Sequence, residues 1–190
     1  MPNFKTIRQR SLSVLMLIIC SLAILSAQSP DPREYQIKAA FLFNFTQFVE
    51  WPATCFSTDK SPFIIGILGE NPFGSYLEDM VNGEKVNGHP LVVQHFKTLE
   101  EIKICHVLFI NLPQTSKLEQ VIANLKGRNI LTVSDMTDFL QEGGILRFFK
   151  KNNKIQFRIN PEASKKTNLI ISSKLLRLAE MCLNCQTPNE

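Results

Sequence analysis

The sequence has little of what marks a nucleic-acid-binding or dinucleotide-binding protein. Beyond the first 27 residues, 18 basic residues stand against 17 acidic ones, because three of the 21 basic residues and none of the acidic ones precede that point. A net charge of +1 gives no cationic surface for a nucleic acid, which we exclude as a partner. Among only eight glycines, Gly66, Gly69 and Gly74 do not have the G-x-G-x-x-G spacing of a dinucleotide loop. We therefore expect no nucleotide cofactor.

The first 27 residues have the layout of a secretory signal peptide. A basic start precedes an uncharged, largely apolar run over residues 11–25, and Ser26–Ala27 supply the small residues of a cleavage site. The apolar run is shorter than the roughly 20 residues that span a bilayer. We predict that cleavage after Ala27 exports residues 28–190 as a single domain. Cleavage after Ala23 and retention of the segment as an anchor are the alternatives.

Cysteine usage agrees with export. Cys55, Cys105, Cys182 and Cys185 remain after cleavage, and an even number in an exported chain favours disulfides. Redox-active C-x-x-C pairs lie at a helix N-terminus, where the thiol pKa is depressed, but Cys182 and Cys185 follow a predicted helix. We expect a structural Cys182–Cys185 bridge and name Cys55–Cys105 as the candidate second bridge, although four cysteines allow three pairings. No second close cysteine pair is present, so we expect no metal site.

Residue combinations that resemble catalytic sites are better explained by structure. Cys105 and His106 are neighbours on a predicted strand, so their side chains point to opposite faces and cannot form a dyad. The serines of residues 172–174 lie where a helix starts and are typical of its cap. Asp135 and Asp138 likewise flank a helix start, where carboxylates are stabilised. We predict no catalytic residues and no enzymatic activity.

Apolar runs and helical patterns alternate along the rest of the chain. This alternation predicts an α/β fold: a compact three-layer sandwich whose largely parallel sheet carries helices on both faces and an antiparallel hairpin near one edge. Helices are predicted at residues 34–49, 72–81 and 118–126 and over the segment SSKLLRLA, with Asn71 capping the second. Strands are predicted at residues 63–68, 91–96, 105–110, 130–133, 146–150 and 154–160.

The first predicted helix is rich in phenylalanine. Four apolar residues at helical spacing predict a buried face: Ile37, Phe41, Phe45 and Phe48. Phe43 lies off that face, which predicts an exposed contact for a second subunit or a partner.

The loops at the carboxyl ends of the strands are the expected functional surface, because open parallel sheets bind ligands in the crevice there. An arginine in such a crevice can hold a carboxylate or phosphate, on a ligand or on an acidic partner loop, in a bidentate contact. The alternative is that Arg158 pairs with Glu142 or Glu162 and only supports the fold. The candidate ligand- or partner-binding residues are Glu70, Asn71, Ser134, Asp135, Gly143, Gly144, Arg158 and Asn160.

Seven segments occur in a characteristic order: KAAFLFNFTQFVEWP, IGILGENPFG, CHVLFI, ILTVSD, GGILRFF, KIQFRIN and ISSKLLRLA. Together they resemble the YfiR family of exported bacterial regulators, over about Tyr35 to Ala179. The resemblance implies a periplasmic, non-enzymatic protein with a compact α/β fold. It also implies a partner, since the best-understood members repress a membrane-bound diguanylate cyclase by engaging its periplasmic sensor domain, which lowers cyclic di-GMP and biofilm formation.

Further implications concern assembly and redox state. Family members dimerise, which implies a homodimer, and sensor-kinase fusions in the family make a kinase the alternative partner. Cys105 lies where the family often has a cysteine before histidine, but Ile65 or a neighbour takes the usual partner position. The predicted hairpin also lacks the family's second cysteine pair. A family redox switch is therefore not carried over to this chain.

Three classes of function remain open from sequence. A protein–protein regulator is favoured, a small-molecule sensor using the strand-end crevice comes second, and an exported enzyme is the least favoured.

Overall fold

The computed structural model describes residues 32–182. The predicted signal peptide and Cys185 lie outside these described residues. Within them, no helix combines the length and the apolarity that crossing a bilayer requires.

Helices and strands follow each other much as the apolar pattern predicts. The helices are α1 (Pro32–Phe48), α2 (Tyr76–Val81), α3 (Leu118–Leu125), α4 (Pro161–Lys165) and α5 (Ser173–Leu178). The strands are β1 (Val49–Glu50), β2 (Phe63–Gly69), β3 (Lys85–Val86), β4 (His89–Phe96), β5 (Val107–Asn111), β6 (Leu131–Ser134), β7 (Leu146–Lys151), β8 (Lys154–Ile159), β9 (Ile170–Ile171) and β10 (Glu180–Met181).

Eight of the strands form one sheet in the order β10-β8-β7-β6-β5-β2-β4-β3, while β1 and β9 pair separately. Strands β4, β2, β5, β6 and β7 are parallel to one another, and β7 and β8 form an antiparallel hairpin. The hairpin turns at Asn152 and Asn153, which have φ angles of 50° and 59°, a backbone region that asparagine tolerates. The predicted parallel sheet with a hairpin near one edge is confirmed.

Helices cover both faces of the sheet, because alternate strand residues point to opposite sides. Ile65 and Phe109 pack with buried residues of α1, α2 and α5 on one side, which we call the α1 face. Leu108 and Ile110 pack with buried residues of α3 on the other side, which we call the α3 face. The predicted three-layer sandwich is therefore confirmed.

The buried face of α1 differs from the predicted one. Phe45 is fully buried and Phe41 and Phe48 are half-buried, but Ile37 is 47% exposed. The prediction of an exposed Phe43 is also wrong, because its side chain is half-buried against the same core. Apolar residues occur around most of the helix circumference, so their spacing alone does not define which face turns inward.

A second correction concerns the start of α2. Asn71 does not cap it; instead, the Asn71 side chain accepts from the Phe73 N–H and donates to the Gly74 carbonyl, which closes a turn ahead of the helix. The helix then begins at Tyr76. The two-residue strands β1, β3, β9 and β10 were not predicted, because two residues are too few to show a period.

Candidate functional site

The carboxyl ends of β2 and β5 form the topological switch point of the sheet. The connection after β2 runs to β4 through α2 on the α1 face, whereas the connection after β5 runs to β6 through α3 on the α3 face. A crevice of about 610 Å³ lies at this point, and its lining includes Glu70, Lys97 and Lys117. We call it the strand-end crevice. Open α/β sheets bind ligands at such positions.

Glycine at position 69 makes the crevice wall. Gly69 has a φ of 92°, and a Cβ there would lie 2.2 Å from the Asn111 carbonyl oxygen. The same carbonyl accepts from the Glu70 N–H, and the Asn111 side chain donates to the Glu70 carbonyl. The Glu70 backbone is thus fixed, while its side chain borders the crevice.

Asp135 follows β6 at the same end of the sheet but belongs to a polar network on the α1 face. Its carboxylate accepts from the Lys38 ammonium at 2.6 Å and from the Tyr35 hydroxyl at 2.9 Å. The Lys38 side chain, 3% exposed, also contacts Glu34 at 2.7 Å. Burial, and then the neighbouring Asp135, raise the pKa of Tyr35 well above its ordinary value. Since both charges of the Lys38–Asp135 pair are matched, this network anchors α1 to the sheet.

Ser134 has a structural role at the end of β6. Its buried hydroxyl donates to the Ile110 carbonyl at 2.7 Å and accepts from the Met136 N–H at 3.1 Å. These two hydrogen bonds connect the end of β6 to β5 and to the loop that follows β6.

Three other predicted site residues lie away from the crevice. Leu146 of β7 stands beside Val133 of β6, so Gly143 and Gly144, which precede β7, lie near the amino end of β6. Asn160 lies at the same end of the sheet as these glycines. Its side chain caps α4 by accepting from the Ala163 N–H, and it donates to the Leu140 carbonyl. The structure does not bring these residues together with Glu70.

Arg158 lies on the α3 face of the hairpin, directly opposite Arg147. Its guanidinium contacts the Glu180 carboxylate of β10 and lies 5.0 Å from the centre of the Phe149 ring. Lys151 binds the same carboxylate at 2.5 Å. We call Arg147, Phe149, Lys151, Arg158 and Glu180 the arginine surface. The expected alternative, that Arg158 pairs with an acid, is confirmed in kind, but the acid is Glu180 rather than Glu142 or Glu162.

Arg147 is the unusual member of the arginine surface. Two arginines directly opposite each other on neighbouring strands repel, and the buried Nε of Arg147 has no hydrogen-bond partner among the described residues. Burial and then Arg158 lower the pKa of Arg147, whereas Asp135 and Asp138 act in the opposite direction. Arg158 is thus ion-paired with Glu180, while the charge of Arg147 is opposed by Arg158 and favoured by Asp135 and Asp138.

A column of stacked rings occupies the amino end of the sheet. The Phe56 ring lies 3.8 Å from the ring of His89 and 4.6 Å from that of His106, and the Phe63 ring also stacks on His106 at 4.6 Å. His106 is fully buried, its Nδ1 accepts from the Ile64 N–H at 3.0 Å, and burial lowers its pKa to about 4. It serves as a neutral packing residue, in agreement with the expectation that it forms no dyad with Cys105.

The cysteines differ from the predicted pattern. Cys55 and Cys105 are both free thiols, so the candidate bridge between them is not formed. Cys105 packs into the α3-face core, and burial raises its pKa to about 12, while His106 belongs to the ring column. Cys182 is disulfide-bonded, and Cys185 lies outside the described residues.

Sequence reasoning missed two charged residues that matter to these sites. Lys38 precedes Leu42 and Phe45 by four and seven positions, a spacing that places the lysine on the buried stripe. Arg147 alternates with Leu146 and Phe148, a period that puts it on the face opposite the core. The Arg147 spacing is unambiguous, whereas the Lys38 spacing competes with that of Ile37, Phe41, Phe45 and Phe48, which is equally regular.

Comparison with known proteins gives a family. Among curated proteins, no sequence matches this chain. A family model described as YfiR/HmsC-like matches residues 35–180. The match contains α1 without its first three residues, the whole eight-stranded sheet except its last residue, and both surfaces described above. The family consists of periplasmic regulators rather than enzymes. This chain belongs to the YfiR/HmsC-like family.

Proposed function

We propose that this protein is an exported repressor that binds the periplasmic sensor region of a membrane-bound diguanylate cyclase, or of a sensor kinase, and so lowers cyclic di-GMP and biofilm formation. Export rests on the signal-peptide pattern of the first 27 residues. Family membership supports regulation without catalysis. We further propose that the protein forms a homodimer.

The observation that carries the proposal is the arginine surface. Arg147 and Arg158 face each other on one side of the hairpin, and Glu180 ion-pairs with Arg158 and Lys151. A carboxylate from a partner would relieve the repulsion between the arginines and could be held by their guanidinium groups. We infer that an acidic segment of the partner docks here, with the exposed side of Phe149 adding apolar contact.

The repression test uses Arg158→Ala and Arg147→Gln in cells that co-express a candidate membrane-bound diguanylate cyclase. We expect each substitution to relieve repression, measured as increased cyclic di-GMP, while the melting temperature of the purified protein changes little. The matched control is Arg177→Ala, because Arg177 is an exposed arginine on α5, a helix whose Leu175 packs on the α1 face. A large fall in melting temperature with repression retained at low temperature would show that the arginines are structural.

A second candidate function is favoured by the strand-end crevice. Its volume of about 610 Å³ falls in the range of small-molecule sites, roughly 300–1,000 Å³, and its position is the one where open sheets bind ligands. The protein would then be a periplasmic small-molecule sensor. A ligand that co-purifies and is displaced by Lys97→Glu, with repression unaffected by the arginine substitutions, would favour this alternative.

A further inference from the structure

A second cavity, of about 230 Å³, lies at the opposite end of the sheet from the strand-end crevice. We call it the amino-end cavity. It is bounded by α3, α4 and the turn before β7, and its apolar lining includes Ile122, Ile130 and Ile145. It shares no lining residue with the crevice and no residue with the arginine surface.

Glycines leave this volume open. Gly127 ends α3 with a φ of 78°, and a Cβ added there would meet no heavy atom within 4 Å. Gly143 lines another side with a φ of 96°. Both positions lack a side chain because the backbone adopts a conformation that L-residues rarely reach, and the space that a side chain would fill remains as the cavity.

The charged groups that line the cavity are more basic than acidic. The cations are Lys126, Arg128 and Lys166, and the anions are Glu119 and Glu142, so the lining carries a formal charge of +1. The Arg128 guanidinium is fixed in position, because its Nη2 donates to the Ile102 carbonyl at 2.9 Å. A guanidinium offers five N–H donors. Nη2 carries two of them, and the other three belong to Nη1 and Nε.

We propose that the amino-end cavity binds a small apolar molecule that carries one carboxylate. The isoleucine lining excludes water from the apolar part, and the basic lining residues, Arg128 first, contact the carboxylate. The cavity is smaller than the pockets of drug-sized ligands, roughly 300–1,000 Å³, so the ligand has about the size of one substituted ring. This binding site does not depend on the proposed regulatory function.

The test uses benzoate as the probe and the backbone amide signals of the whole mature protein as the readout. Benzoate should shift signals of α3, Gly143 and Ala163, with a Kd on the order of millimolar for so small a ligand. Benzylamine, its cationic counterpart, should bind at least tenfold more weakly. Ala123→Trp, which places a large side chain at the cavity lining, should weaken benzoate binding at least tenfold.

Asn124→Trp is the matched control, because Asn124 is the next residue of α3, is exposed and does not line the cavity. It should leave benzoate binding unchanged. If Ala123→Trp does not fold, Ala123→Leu is compared with Asn124→Leu in the same way. Equal binding of benzoate and benzylamine, shifts confined to another surface, or equal binding by the two variants would each overturn the proposal.

Discussion

His106 makes the stability of the fold depend on pH in a direction that the structure fixes. Its ring stacks against those of Phe56 and Phe63 and is fully buried, and burial lowers its pKa from 6.5 to about 4. Between these two values the unfolded chain binds a proton that the folded protein does not. The contribution of neutral His106 to the folding free energy is therefore fully present above the unfolded pKa, and it is lost as the pH falls toward the folded pKa.

The size of this effect follows from the two pKa values. Each pKa unit corresponds to about 1.4 kcal/mol, and about 2 kcal/mol of the folding free energy should be lost between roughly pH 7 and roughly pH 4.5. The variant for comparison is His106→Asn, whose side-chain oxygen can still accept from the Ile64 N–H but does not titrate.

The assay is urea unfolding of both proteins at the two pH values. His106→Asn should be less stable than the wild type at neutral pH, since it loses the ring stacking, yet its stability should fall by about 2 kcal/mol less on acidification. Carboxylates elsewhere titrate in both proteins and cancel in the comparison. Equal losses in the two proteins would refute the reasoning, because the pH dependence would then arise from other groups.

Three further predictions concern packing, charge and thiols. Phe45→Ala should lower the free energy of unfolding by about 3–5 kcal/mol, and Phe43→Ala by only about 1–2 kcal/mol because Phe43 is half-buried; equal losses in urea unfolding would contradict the observed orientation of α1. Lys38→Met should cost about 2–3 kcal/mol by leaving Asp135 without its cation, and an unchanged urea midpoint would show that the network contributes nothing. Alkylation followed by intact-mass analysis should label Cys105 only after unfolding and Cys55 slowly in the native state, since burial raises the pKa of both; no labelling without reductant would mean that the two are bridged.

The sequence predicted the layers and most of the strands, because apolar runs indicate which segments are buried and turn residues indicate where those segments end. Strand β2 is seven apolar or glycine residues in a row, and its ends were predicted within two residues. The rotation of α1 was not predictable from the same signal. Lys38, rather than Ile37, turns inward because it pairs with Asp135. This partner lies 97 residues away along the chain, so the pairing leaves no local pattern in the sequence of α1.

The candidate site was predicted only in part, for a related reason. Glu70 follows a parallel strand and lies at the strand-end crevice, as the rule for open sheets predicts. Gly143 was assigned to the same end, but β7 starts beside the middle of β6 and places the preceding turn at the other end. The direction of β7 decides this, because residues that precede a strand parallel to β6 lie toward the amino end of β6, and an apolar pattern does not encode strand direction. Arg147 became notable only once the hairpin set it opposite Arg158.

The most direct test of the account is the binding of the purified mature protein to the purified periplasmic domain of the candidate cyclase. The wild type should bind, and Arg158→Ala and Arg147→Gln should each weaken binding at least tenfold, with the loss mainly in the dissociation rate, as for a buried charge contact. Arg177→Ala should bind like the wild type. Full-strength binding by the variants Arg147→Gln and Arg158→Ala, both folded, would contradict the claim that the arginine surface recognises the partner.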